Sequence, residues 1–121
     1  MLDHVGFQCS DLAASAAFYD AVLAPLGGSR LQDHKVAIGY GTGHADFWIS
    51  EAGADPHRES HIAFEAADRG AVDAFFRAAV AAGAEVLHEP AIHPEYHEHY
   101  YGAFVRDPDG NNIEACCHAP E

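Results

Sequence analysis

From Val5 the chain alternates apolar and polar positions and then changes period. Val5, Phe7 and Cys9 are separated by Gly6 and Gln8, which reads as a strand half buried on one face. From Leu12 to Leu23 the apolar residues recur at helical spacing in Ala-rich surroundings, and Asp11 stands where an N-cap belongs. The same change of period returns later in the chain. Ile62, Phe64 and Ala66 alternate, Asp68 takes the cap position, and residues 72–80 carry the helical pattern. Gly27-Gly28 and Gly83 then end the two helices.

The two stretches are copies. "HVGFQCSDLAASAAFYDAVL", from His4, aligns without a gap on "HIAFEAADRGAVDAFFRAAV", from His61, with seven of twenty positions identical. Strand-like pieces follow each helix, at 29–33, 36–41 and 45–50 in the first half and at 84–88, 99–106 and 112–117 in the second. The last two join through "DPDGNN", whose Pro and Gly supply turn geometry. The expected class is α+β: two tandem β-α-β-β-β modules forming a curved, mostly antiparallel sheet around a cleft. One domain spans 1–121, with module 1 at about 1–52, module 2 at about 59–119 and "EAGADPHRES", residues 51–60, connecting them.

Composition narrows the partners. At 121 residues and 49% apolar content, the chain is expected to bury one core. Nineteen acidic against six basic side chains give a formal charge of −13, which repels phosphate backbones and anionic membrane surfaces. No nucleic-acid or membrane partner is therefore expected. No stretch approaches the ~20 apolar residues of a membrane span, and nothing at the N-terminus reads as a leader, so the expected location is cytoplasmic. Cys9, Cys116 and Cys117 form no CxxC pair and suit reduced thiols.

Strand parity gathers the candidate chemistry. His4 shares a face with Gly6 and Gln8, and the repeat puts His61, Ala63 and Glu65 on the matching face. On the last strand Ile113 and Ala115 are apolar, leaving Glu114, Cys116 and His118 opposite. If the two halves curve toward one another, His4, His61 and Glu114 meet in one cleft. Two imidazoles and one carboxylate are a common ligand set for a divalent transition metal with open positions for substrate. Taken singly, each of the three also fits an ordinary strand or surface residue. In "PEYHEHYYGAF", residues 94–104, an extended backbone would place His97, His99 and Tyr101 on one face. His97 and Tyr101 are the candidates for moving a proton or orienting a substrate. The alternative is a loop whose aromatics cover a sheet edge.

The paired modules, the "DHVGF…DL…FY" opening, "HIAF" and "DPDGNNIEA" resemble the vicinal oxygen chelate superfamily. That superfamily includes glyoxalase I, fosfomycin-resistance proteins, extradiol dioxygenases and bleomycin-resistance proteins. The resemblance implies metal ligation by His4, His61 and Glu114, and a divalent ion such as Fe, Mn, Zn or Ni. Aligning "DFWI" on "NIEA" puts Trp48 at the pseudo-symmetry mate of Glu114, where an indole cannot serve as a fourth ligand. Trp48 and Gln8 then become substrate-binding candidates. The implied activity is an extradiol-like dioxygenase or a glyoxalase-like lyase or isomerase, acting on a small organic substrate chelated through adjacent oxygens. The competing function is metal-free sequestration of a cationic drug, as the bleomycin-resistance resemblance implies. Open sheet edges and the resemblance both point to a homodimer.

Overall fold

The computed structural model describes residues 3–52 and 60–120. The connection expected at 51–60 therefore lies largely outside the described residues. Each half of the chain follows the expected order. The first contains β1 (Val5–Cys9), α1 (Leu12–Leu23), a short 3-10 turn (Ala24–Leu26), β2 (Ser29–Asp33), β3 (Ala37–Gly41) and β4 (Phe47–Glu51). The second contains β5 (His61–Glu65), α2 (Arg69–Ala81), β6 (Val86–Ile92), β7 (Tyr101–Arg106) and β8 (Asn112–Cys117). The Asp11 carboxylate accepts from the Ala14 N–H at 3.1 Å and Asp68 accepts from the Ala71 N–H at 2.8 Å, so both helices start at side chains that satisfy an otherwise orphaned donor. Gly27 and Gly83 both adopt φ of 83°, the left-handed conformation that stops a helix without a Cβ clash.

The strands form two four-stranded sheets, ordered β1-β4-β3-β2 and β5-β8-β7-β6. In each, the first strand of the module pairs in parallel with the last, and the remaining pairs are antiparallel. This topology puts β4 and β8 inside their sheets and leaves β1 and β5 as edges. Several strand ends differ from expectation by a residue or two, and β6 differs most, starting at Val86 and running on to Ile92. β7 begins only at Tyr101 because residues 94–100 form turns.

The helices carry the core between the modules. Phe18, Tyr19, Val22 and Leu23 of α1 and Val72, Phe75 and Ala79 of α2 are buried, together with Ile49, Val105, Ile113 and Ala115 of the sheets. Phe47 and Phe64 meet edge to face at 5.1 Å, joining the two halves into one cluster. On the opposite faces the edge strands stay open: His4 just before β1, Gly6 and Gln8 on β1, and His61, Ala63 and Glu65 on β5 are exposed, whereas Phe104 and Glu114 on the inner strands are buried. No described helix is long and apolar enough to cross a membrane. All three cysteines are buried and unpaired, and burial pushes the Cys9 and Cys116 thiols up.

Four tyrosines give the core a predictable response to alkali. Burial, followed by a neighbouring carboxylate, holds the phenols of Tyr19, Tyr40, Tyr100 and Tyr101 above their ordinary value, with Tyr101 pushed up to about 12. A phenol whose folded pKa exceeds its unfolded pKa contributes stability that is complete below about 10 and is lost as the pH rises through the folded value. Urea midpoints should therefore hold steady to about pH 10 and then fall, with tyrosinate absorbance lagging that of the unfolded chain. A midpoint still flat at about pH 12 would contradict this assignment.

Candidate functional site

Glu114 sits on β8, in the middle of its sheet, paired in register with Ala63 of β5 and Phe104 of β7. It is only 2% exposed, so its charge must be met by protein groups. One oxygen, Oε1, lies 3.1 Å from His61 Nε2, and the other, Oε2, accepts the hydroxyl of Tyr100. His61 is fixed from its far side, because Nδ1 lies 3.0 Å from the carbonyl oxygen of Asn112 and the ring stacks on Phe104 at 6.1 Å. A carbonyl only accepts, so Nδ1 carries the proton in this contact. A neutral imidazole then turns a bare lone pair at Nε2 toward a carboxylate oxygen. Two acceptors do not hold each other at that distance unless a proton or a cation lies between them.

The first module presents the matching row on its own sheet. Trp48 pairs with Gly6 of β1 and Gly39 of β3, so it occupies the position that Glu114 holds between Ala63 and Phe104. The indole depends on those small neighbours: a Cβ at Gly39 would lie 2.8 Å from the Trp48 ring. Trp48 stacks on His34 at 6.0 Å and donates through Nε1 to the Ala45 carbonyl at 3.2 Å. Gln8 is exposed on the same face. His4 is exposed too, with Nδ1 2.8 Å from Asp3 Oδ1. His4 and His61 both line an open groove of about 470 Å³ floored by Phe47 and Phe64, but Glu114 is not part of its wall. Among the described residues no three histidine, cysteine or acidic side chains converge as a metal site. Within the chain His61 pairs with Glu114 and shares a groove with His4, but His4 does not complete a three-residue cluster with that pair among the described residues.

Of the two forms open to the 94–100 segment, the structure shows the loop and not the extended run. Pro94 opens a turn in which the Tyr96 N–H donates to the His93 carbonyl at 3.1 Å and the Tyr100 N–H to the His97 carbonyl at 3.1 Å. His97 is exposed on this turn, its Nδ1 3.1 Å from the His99 N–H and its ring 5.5 Å from His118. The shared face of His97 and Tyr101 does not exist, because strand alternation starts only at Tyr101. Tyr101 points to the helix side, donates to Asp73 of α2 at 2.7 Å and lies under the Arg69 guanidinium at 5.1 Å. The tyrosine beside the buried carboxylate is Tyr100. Its signal was in the hairpin register: Phe104 pairs with Glu114 and Gly102 with Cys116, so counting outward by twos reaches Tyr100 opposite His118.

This pairing of modules across a repeat is shared with known proteins. The model of the glyoxalase/bleomycin resistance protein/dioxygenase superfamily matches residues 1–115. The chain belongs to this superfamily. A glyoxalase/bleomycin resistance protein from Albidiferax ferrireducens is 32% identical, with 97% of this chain and 98% of that one covered and a TM-score of 0.86. Lactoylglutathione lyase from Agrobacterium tumefaciens shares the fold at 24% identity and a TM-score of 0.70, covering 97% and 92% of the two chains. A fosfomycin resistance protein from Mesorhizobium loti shares it at 17% identity and 0.73, covering 98% and 92%. No curated protein matches the sequence. Within the superfamily fold the polar pair His61–Glu114 stands on one sheet and the apolar pair Trp48–Gly39 on the other, so the two module faces are chemically unequal.

Proposed function

We propose that this protein is a metal-dependent enzyme that acts on a small organic substrate chelated through adjacent oxygens, by lyase, isomerase or ring-cleaving dioxygenase chemistry. His61 and Glu114 supply two ligands, and His4 of a second copy of the chain supplies the third. The observation that carries this reading is the His61 Nε2 to Glu114 Oε1 approach of 3.1 Å, with Nδ1 already committed to a carbonyl. A divalent ion is the natural occupant of such a paired donor set. When bound, it supplies a Lewis acid for the substrate oxygens.

The chain's own groups set the rest of the cleft. Tyr100, held protonated by burial and by Glu114, is a donor and not a base at ordinary pH. His97 is exposed on the neighbouring turn and is the candidate for carrying a proton of the substrate. Trp48 on its glycine bed gives a flat apolar wall, with the Gln8 amide beside it. These two residues lie on the His4 sheet and would reach the His61–Glu114 pair together with it, from the second copy.

Protein purified without a histidine tag should bind one divalent ion per His61–Glu114 pair and scatter light as a dimer. His4→Ala and His61→Ala chains should each lose the ion, and mixing them should restore part of it. A mixed dimer regains one intact site only if His4 and His61 come from different chains. No recovery on mixing would place the site within one chain. No uptake by the unaltered protein would favour the second reading, a metal-free binder of cationic ligands. A proton would then bridge His61 and Glu114, while the net charge of −13 and the indole of Trp48 would suit the cationic ligand.

A further inference from the structure

The two oxygens of Glu114 have different surroundings, and the difference has a builder. Oε1 turns toward His61, whereas Oε2 is capped by the Tyr100 hydroxyl. Tyr100 reaches that oxygen because residue 102 has no side chain: a Cβ at Gly102 would lie 3.1 Å from Glu114 Oε2 and 3.2 Å from Tyr100 Cε1. The phenol ring is also wedged from outside, meeting Tyr96 at 5.2 Å and His118 at 4.9 Å, both edge to face. Its backbone is tied into the 93–100 turn, with the His93 N–H donating to the Tyr100 carbonyl at 2.7 Å. The first module has no such tyrosine: Gly39 pairs with Trp48 as Phe104 pairs with Glu114, and the position four before Gly39, which corresponds to Tyr100, is Lys35.

We propose that Tyr100 is a positioning residue that makes Glu114 a one-oxygen ligand, occupying Oε2 so that Oε1 alone is presented beside His61. This rests on the metal reading above. A carboxylate with both oxygens free can rotate or bind a cation through both, whereas one held by a phenol offers a single, fixed donor. The 93–100 turn thereby sets the geometry of the ligand without touching the ion.

Cobalt(II) provides the test, because its visible absorption reports ligand number and geometry. Tyr100→Phe keeps the ring contacts and removes only the hydroxyl. It should weaken cobalt binding by roughly 10–100-fold, as loss of an outer hydrogen bond to a ligand does, and should change the visible spectrum of the bound ion. Gly102→Ala, which retains the hydroxyl but displaces the ring, should change the spectrum as well. Tyr101→Phe removes a hydroxyl on the opposite face and should alter neither property. Unaltered affinity and spectrum in folded Tyr100→Phe would overturn the proposal while leaving the metal reading in place. Lower thermal stability with an unaltered spectrum would overturn it too, since that is the mark of a purely structural tyrosine. If the unaltered protein takes up no cobalt, the metal reading fails and the proposal with it.

Discussion

Glu114→Gln should abolish stabilisation by divalent metal and leave the metal-free protein folded. The side chain is buried in the centre of its sheet, and the change keeps its shape while removing the charge. Removing one member of a buried ion pair normally costs several kcal/mol because the other charge is stranded. Here the partner escapes that fate, since the His61 side chain is 50% exposed and can be solvated. Tyr100 keeps an acceptor in the amide oxygen. The metal-free variant should therefore match or exceed the metal-free parent in urea resistance. A ligand that binds only the folded state stabilises it by about 2.7 kcal/mol at about 100 times its dissociation constant. The parent should show that gain when metal is added, and Glu114→Gln should show almost none, because the anionic ligand has gone. An equal gain in both proteins would mean that Glu114 does not hold the ion.

How much of this was readable in the sequence follows from which contacts are local. Asp11 and Asp68 declared the helix starts because an N-cap binds a backbone group three residues away. The β-α-β-β-β repeat declared the fold, and the "DFWI" to "NIEA" alignment placed Trp48 opposite Glu114 because pseudo-symmetry carries register from one module to the other. Tyr100 escapes the sequence reading because parity counted within residues 97–101 alone does not say which face meets Glu114; only the hairpin register, with Phe104 opposite Glu114 and Gly102 opposite Cys116, puts Tyr100 on it. Pro94 marks the turn before the strand, since it has no N–H to give to a ladder. His4 poses a different problem. A repeat shows that His4 and His61 are equivalent, but equivalence says nothing about which copies of the two modules face each other. Asp107 was legible only as a turn residue, yet its hydroxyl partner, Tyr19, lies 88 residues earlier.

That long-range contact leads to the largest expected loss of stability, from Asp107→Ala. Asp107 is 6% exposed and its carboxylate accepts four hydrogen bonds. Oδ2 takes the Tyr19 hydroxyl at 2.8 Å and the Asn111 amide nitrogen at 2.9 Å, while Oδ1 takes the backbone N–H groups of Asn111 at 2.8 Å and Asp109 at 3.0 Å. Alanine would orphan all four donors, and the Tyr19 phenol is completely buried among the rings of Phe18, Tyr40 and Phe47. Each stranded buried donor costs about 1–3 kcal/mol, less where water or a shifted neighbour replaces the carboxylate. A total loss of about 3–5 kcal/mol is expected, a large share of the roughly 5–15 kcal/mol that holds a domain folded. Tyr19→Phe deletes a donor and strands nothing but one acceptor site, so it should cost only about 1 kcal/mol. The double variant should be less damaged than the sum of the two, because the orphaned phenol is then absent. Urea unfolding of the four proteins measures this coupling, and strict additivity would show that Tyr19 and Asp107 do not act together. The consequence reaches the site, since the 107–111 turn leads directly into Asn112. Asn111 Oδ1 accepts from the Ser60 N–H at 2.9 Å and the Asn112 N–H donates to the Ser60 carbonyl at 2.8 Å, which sets β8 against β5. The Asn112 carbonyl, in turn, holds the imidazole of His61. Loosening the turn should therefore release that ring before the sheet itself opens, and the His61 resonances in Asp107→Ala should broaden at urea concentrations where the core is still intact.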